Sequence, residues 1–291
     1  MAMQQSPAIH AFFDEPTNTV SYLVACLATG AAVVIDPVLD YDHRSGKGSA
    51  NLADLILQKT SAEDWRIQWV LETHVHADHL SGAPYIRMKT GARVGIGARI
   101  REVQKIFRPV FNATDVSGDG SEFDRLFADG EVLEAGGLRI EVIATPGHTP
   151  ACVSYRTGDA IFVGDTIFMP DYGTARADFP GGDARTLYRS ARKLLAFPPE
   201  TRLFMCHDYK APGRDVFAWE TTVADQRARN PHVRDGINED DFVALREARD
   251  AGLGAPALLL PSIQVNMRAG RLPPAESNGV HYLKVPVQLQ P

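Results

Sequence analysis

Apolar positions in the first third of the chain fall in short runs broken by turn residues. Residues 11–13, 20–26 and 31–35 read as strands, with E-P-T-N between the first two and T-G between the second pair. Over residues 49–59 the period changes, because Leu52, Leu55 and Ile56 recur at i, i+3 and i+4 as on one face of a helix. Residues 67–71 then read as strand, 80–89 as helix, 94–96 as strand and 100–107 as helix. Residues 109–130 are polar, carry Gly118, Gly120 and several acids, and read as a loop excursion. Runs 132–133 and 138–143 form a hairpin through Gly136-Gly137, and 153–155 pairs with 160–163. Asp183 caps a helix that runs to Leu195, and 203–205 is a further strand. Beyond it, 214–229 and 239–251 read as helices, 257–266 as strand or extended chain, and 279–289 as an edge strand. Strands dominate the early and middle parts with helices between them, and no segment repeats in register. The order predicts an α/β fold with two sheets sandwiched between helices and no clean linker. A single domain over 1–291 is expected, with 213–291 as a helical and extended C-terminal part packed on it.

Composition narrows the classes. The 291 residues are 44% hydrophobic, enough for a large core, and 23% charged, which argues against long disorder. A net charge of -6 gives no support to nucleic-acid binding, which needs a basic stripe. No apolar run approaches bilayer length, and M-A-M-Q-Q-S-P has neither a positive start nor an apolar stretch, so no membrane partner and no secretory signal are expected. Cys26, Cys152 and Cys206 are widely spaced and form no C-x-x-C pair, so a disulfide framework is not expected and a cytoplasmic location is. Cys206 abuts His207 but ends the apolar run 203–205, and it reads as a packed hydrophobe.

The chemistry is concentrated in T-H-V-H-A-D-H at 73–79, which places His74, His76, Asp78 and His79 within six residues. His148 in P-G-H-T-P, Asp165 in V-G-D-T and His207 in M-C-H-D-Y each follow a short apolar run. Imidazole and carboxylate are the usual ligands of borderline divalent metals. Residues at the ends of neighbouring strands converge, because strands lie only about 5 Å apart. Gly147 and Gly164 precede two of these residues and allow tight turns. A metal gripped by loops at strand ends is the expectation. His10, His43, His232 and His281 read as surface or core residues.

Taken together, H-V-H-A-D-H, P-G-H-T-P, G-D-T and C-H-D-Y resemble the metallo-β-lactamase superfamily, and Asp36 matches an Asp that ends an early strand there. The resemblance implies an αββα sandwich with one or two metals at the sheet edge. D-Y-G-T-A-R-A-D-F-P-G-G-D at 171–183, D-A-R-T-L-Y-R-S at 183–190 and S-I-Q-V-N-M-R-A-G at 262–270 are similar to segments of the persulfide dioxygenase branch, closest to its longer bacterial form. The likeness runs from Phe12 to Val287; the 109–130 excursion separates this chain from the shorter form, and no fused rhodanese domain is expected.

That branch implies one Fe(II) per chain, with His74, His148 and Asp165 as its ligands, a facial triad that leaves coordination positions open. His76, Asp78, His79 and His207 are then an outer shell, or a vestigial second site; all seven residues are present, so the sequence alone leaves a two-metal site open. The implied reaction is oxidation of glutathione persulfide by dioxygen and water to sulfite and glutathione, in sulfide detoxification. Glutathione carries two carboxylates and arginine can fork onto one. The likeness assigns Arg176 to that role, places Tyr209, Met267 and Arg268 along the glutathione pocket, and makes Thr149 a hydrogen-bonder beside His148. Lys210 reads as a solvated loop lysine. The alternative is a binuclear zinc hydrolase of the glyoxalase II-like thioesterase type, although no closing R-x-x-K-D pattern stands near the C-terminus. The resemblance also raises a homodimer, which no residue here specifies.

Overall fold

The structure, a computed structural model, describes residues 6–287. The first half comprises β1 (Ala8–Asp14), β2 (Thr19–Ala25), β3 (Ala31–Ile35), β4 (Val38–Asp42), β5 (Lys47–Ser49), α1 (Asn51–Ala62), β6 (Arg66–Glu72), β7 (Leu80–Ser81), α2 (Ala83–Thr90), β8 (Arg93–Gly97), α3 (Ile100–Val110) and β9 (Arg125–Phe127). The second comprises β10 (Val132–Ala135), β11 (Leu138–Ala144), β12 (Val153–Thr157), β13 (Ala160–Phe162), α4 (Ala184–Leu194), β14 (Arg202–Phe204), β15 (Glu220–Thr222), α5 (Val223–Arg229), α6 (Glu239–Asp250) and α7 (Leu259–Asn266).

Side-chain alternation decides the layers. Along β2, Val20, Tyr22 and Val24 face one core while Leu23 and Ala25 face another. Along β13, Phe162 joins the first of these cores and Ile161 a third. Two six-stranded sheets result, β1-β2-β3-β6-β8-β9 and β10-β11-β12-β13-β14-β15, with one core between them and one on each outer face. Helices α1, α2, α3 and α7 contribute to the core outside the first sheet, and α4, α5 and α6 to that outside the second. This is the expected αββα sandwich. Truncating a central residue such as Leu71, which is fully buried, to Ala costs about 2–5 kcal/mol.

The first sheet turns parallel at β3–β6–β8–β9, and β13 pairs parallel with β14. The chain therefore leaves β3, β6, β13 and β14 in a common direction within each sheet, and Asp36, Thr73, Asp165 and His207 follow those strands. Asp183 caps α4 as expected, accepting the Thr186 amide at 2.7 Å.

Four segments differ from expectation. Within the polar excursion, Phe111, Ala113, Val116 and Phe123 are buried against α3 and β9 adds an edge strand, so the segment is packed rather than loose. Residues 214–229 are not one helix: β15 pairs antiparallel with β14, and α5 begins only at Thr222, whose hydroxyl accepts the Asp225 amide. Residues 259–266 are helix rather than strand, because Pro261 lies in the first turn, where no amide hydrogen is needed. The tail 280–287 forms no strand, and the last two residues of that expectation, 288 and 289, lie outside the described residues. No helix among the described residues is long and apolar enough to cross a membrane.

Candidate metal centre

β6 ends at Glu72, and the histidine loop begins under the carboxylate of Asp36, a buried residue with φ +49. Asp36 accepts both the amide and the hydroxyl of Thr73, each at 2.7 Å. The single Thr73 hydroxyl hydrogen is thus committed, so the oxygen acts as acceptor for His74 Nδ1 at 3.0 Å. Carbonyl oxygens, which can only accept, fix the other rings: His148 Nδ1 donates to Arg176 at 2.8 Å, His79 Nδ1 to Leu80 at 3.0 Å and His207 Nδ1 to Asn18 at 3.1 Å. Each of the four rings therefore carries its hydrogen on Nδ1 and keeps a lone pair on Nε2.

Those lone pairs converge. The ligand atoms of His74, His148 and Asp165 lie within 4.8 Å of one another. His148 Nε2 is 3.6 Å and His74 Nε2 3.9 Å from Asp165 Oδ2. His207 Nε2 sits 3.3 Å from the other oxygen, Asp165 Oδ1, and 3.4 Å from Asp78 Oδ2. His76, Asp78 and His79 form a second group. The turns that deliver His148 and Asp165 need glycine: a Cβ on Gly147 would meet the Leu187 backbone at 2.3 Å, and one on Gly164 would meet Thr73 Cβ at 2.8 Å.

His76 behaves differently. Its Nε2 lies 3.0 Å from Asp36 Oδ1 and 3.6 Å from Glu72 Oε2, and it does not join the triad. The Asp36 contact pairs the imidazole with a carboxylate as an ion pair. Burial opposes a charge on His76, yet the Asp36 and Glu72 carboxylates raise its pKa to about 9. Burial and Asp36 push Glu72 up to about 7.

Burial and then the neighbouring rings hold His74 well below the usual imidazole range and His79 down at about 4. Burial works against ionised Asp78, but His207, His79 and His76 bring it to about 2. Nε2 of His74, His79 and His207 and Oδ1 of Asp165 are buried without hydrogen-bond partners. Each such vacancy costs about 1–3 kcal/mol. Neutral imidazoles and carboxylates aimed at one region fit a divalent ion that would satisfy them together. Burial raises the Cys206 thiol well above its ordinary value and Cys152 to about 12, so both are packed residues, not nucleophiles.

Above the triad opens a cleft of about 640 Å³. His148, Asp165 and Asp78 line its floor, and Phe168, Tyr172 and Tyr209 form an aromatic side. Arg176 also lines it, but its fork already clasps Asp178 through two 2.6 Å bonds and Nη1 donates to the Gly254 carbonyl.

Three residues expected at the substrate are not among those that line this cleft. Met267 is fully buried in the helix-facing core, and Arg268 is forked onto Asp115 at 2.7 Å and 2.7 Å, tying α7 to the excursion. Neither reaches the cleft. Thr149 is buried and bonds the Ala151 amide at 3.2 Å, shaping its loop without touching His148. Lys210 lies over the Phe217 ring at 4.3 Å.

The residue of the 262–270 motif that serves the centre is Asn266. Its Nδ2 donates to the His76 and His79 carbonyls at 2.9 Å and 2.8 Å, and its Oδ1 accepts the Ser81 amide at 2.9 Å. Its side chain thus clamps the histidine loop at three points. The motif drew notice to the neighbouring Met267 and Arg268; no local pattern marks an amide whose partners lie about 190 residues away.

An αββα sandwich with this centre at its strand ends defines a metal-dependent enzyme class. Residues 14–207 match the family described as the metallo-beta-lactamase superfamily, and the chain belongs to it. It is 53% identical to a Burkholderia pseudomallei protein named "Probable metallo-hydrolase", over 96% of this chain and 98% of that one. It is 49% identical to a "Beta-lactamase hydrolase-like protein" of Agrobacterium fabrum, over 97% of this chain but only 65% of the relative. "Glyoxylase B2" of Dictyostelium discoideum is 44% identical over 98% of both chains. The mitochondrial "Persulfide dioxygenase ETHE1" of mouse is 27% identical over 90% of this chain and 89% of that one. Among solved structures, ETHE1 from Myxococcus xanthus is similar with a TM-score of 0.73 at 30% identity, over 91% of this chain and all of that one. Both ETHE1 likenesses agree with the branch resemblance carried by 171–183 and 262–270.

Proposed function

We propose that this chain oxidises glutathione persulfide with dioxygen and water to sulfite and glutathione at a single Fe(II) held by His74, His148 and Asp165. One observation carries the reading: these three converge, whereas His76, outside the triad, has Nε2 3.0 Å from Asp36 and 3.6 Å from Glu72. Three protein ligands leave room for further ones, and Fe(II) when bound would supply the redox chemistry that Zn(II) lacks. The chain's own part is preorganisation. Thr73 and the Arg176 carbonyl hold two rings with Nε2 bare. Oxygen uptake and sulfite formation from glutathione persulfide, with iron and zinc counted per chain in freshly purified protein, test it. About one iron per chain with stoichiometric uptake supports the proposal; two zincs and no uptake overturn it.

A second reading has its own support. His207 Nε2 faces both Asp165 and Asp78, and Nε2 of His207 and of His79 is buried without a partner, as a two-zinc thioesterase would need; the relatives at 44% and 53% identity carry hydrolase or glyoxylase names. Hydrolysis of S-lactoylglutathione by the zinc-loaded protein would favour it.

A further inference from the structure

Three guanidinium groups border the cleft: Arg176, Arg246 and Arg249. Two are spent. Arg176 is held by Asp178 and the Gly254 carbonyl. Arg246 is buried, donates to Asp250 Oδ1 from Nε at 2.9 Å and from Nη2 at 2.5 Å, and gives Nη1 to the Thr174 carbonyl. Asp250 in turn accepts the Ala177 amide at 2.8 Å, which fixes α6 against the loop that carries Arg176. Arg249, one helical turn beyond Arg246, is exposed and has no ion-pair or hydrogen-bond partner among the described residues. Leu253, Pro256 and Leu258, which follow it in the chain, line the same cleft, as do Tyr41 and His43.

We infer that Arg249 receives the glycine carboxylate of a glutathione-derived substrate whose sulfur reaches the floor at His148 and Asp165. The inference rests on the glutathione part of the proposed function and is shared by its thioesterase alternative. Of glutathione's two carboxylates, the γ-glutamyl one has its own ammonium group beside it. The glycine carboxylate is a lone anion, and a guanidinium without a carboxylate partner is its match. A cation already forked onto Asp178 or Asp250 would have to surrender that pair first. Size is not a barrier, because a cleft of about 640 Å³ lies in the range that takes a ligand of this size.

Calorimetric titration with S-methylglutathione, which cannot react, and with its C-terminal glycinamide tests the assignment on the full metal-loaded chain. Arg249→Ala should weaken S-methylglutathione by about tenfold, the low end for a charge-assisted bond at an exposed position, while Arg249→Lys keeps most of the affinity. The glycinamide should bind wild type and Arg249→Ala equally weakly. Unchanged S-methylglutathione affinity in Arg249→Ala, or an equal loss on amidation in both proteins, would overturn the inference; so would failure of wild type to bind the probe. Oxygen uptake on the same preparation reports the redox reading separately. Arg249-dependent binding without uptake would remove the dioxygenase and keep this carboxylate site.

Discussion

The floor of the cleft and its arginine-bearing wall are built on opposite plans. On the floor, hydrogen bonds remove every alternative use of the rings: Nδ1 of His74, His148, His79 and His207 is committed to an oxygen, and Nε2 is left vacant. On the wall, pairing removes charge: Asp178 quenches Arg176 and Asp250 quenches Arg246. The floor is prepared by leaving donors unsatisfied until a cation arrives, whereas the wall is satisfied already and leaves Arg249 in reserve. On the proposed function, chemistry and recognition would be separable by mutation.

The largest expected effect is at the floor. Asp165→Ala removes the carboxylate of the triad, which also faces His207 Nε2, so metal retention after dialysis should fall by more than ~100-fold, beyond the ~10–100-fold loss typical of an outer partner. A variant with its full metal complement by mass spectrometry would break the ligand set. Asn266→Ala strands the His76 and His79 carbonyls and the Ser81 amide, and should cost about 3 kcal/mol of stability, read from the urea midpoint. A wild-type midpoint would mean that the clamp is idle. Thr73→Val keeps the shape but takes the acceptor from His74 Nδ1; metal affinity in chelator competition should drop ~10–100-fold with the fold intact.

Behind the wall, His232 gives a pH test. Burial, then Arg246 and Arg249, bring its pKa down to about 4, and its Nδ1 accepts the Thr174 amide at 3.0 Å. The folded state resists a proton that the unfolded chain takes up below about pH 6.5, so this stability is complete above that value and is lost as pH falls towards 4. The loss should reach at least about 1–2 kcal/mol. His232→Asn should flatten that part of the stability–pH curve; an unchanged curve would exclude His232 as its source. The smallest effect belongs to Asp115→Ala, which frees Arg268 outside the cleft. It should cost about 1 kcal/mol and leave KM for a glutathione substrate unchanged. A raised KM would return Arg268 to the substrate.

Legibility followed sequence distance. The histidine loop, the glycines at 147 and 164, the 132–143 hairpin and the Asp183 cap are local patterns, and each stands as read. Residues 214–222 were misread because the helical periodicity of α5 was extended backward through a segment that β14 recruits as strand. The Arg268 fork was not legible because its carboxylate partner lies 153 residues earlier in a stretch that looked like solvent loop. Arg249 stands apart only by its lack of a partner, which no window of sequence reveals.

The Asn266 clamp also sets an order of events. Its two carbonyl partners stand 190 and 187 residues upstream, so a nascent chain exposes the imidazole cluster long before the amide that locks it is synthesised. Contacts of such span close late. Ion capture by the emerging polypeptide would therefore meet an unfastened loop, and selection among competing cations would fall to the completed molecule.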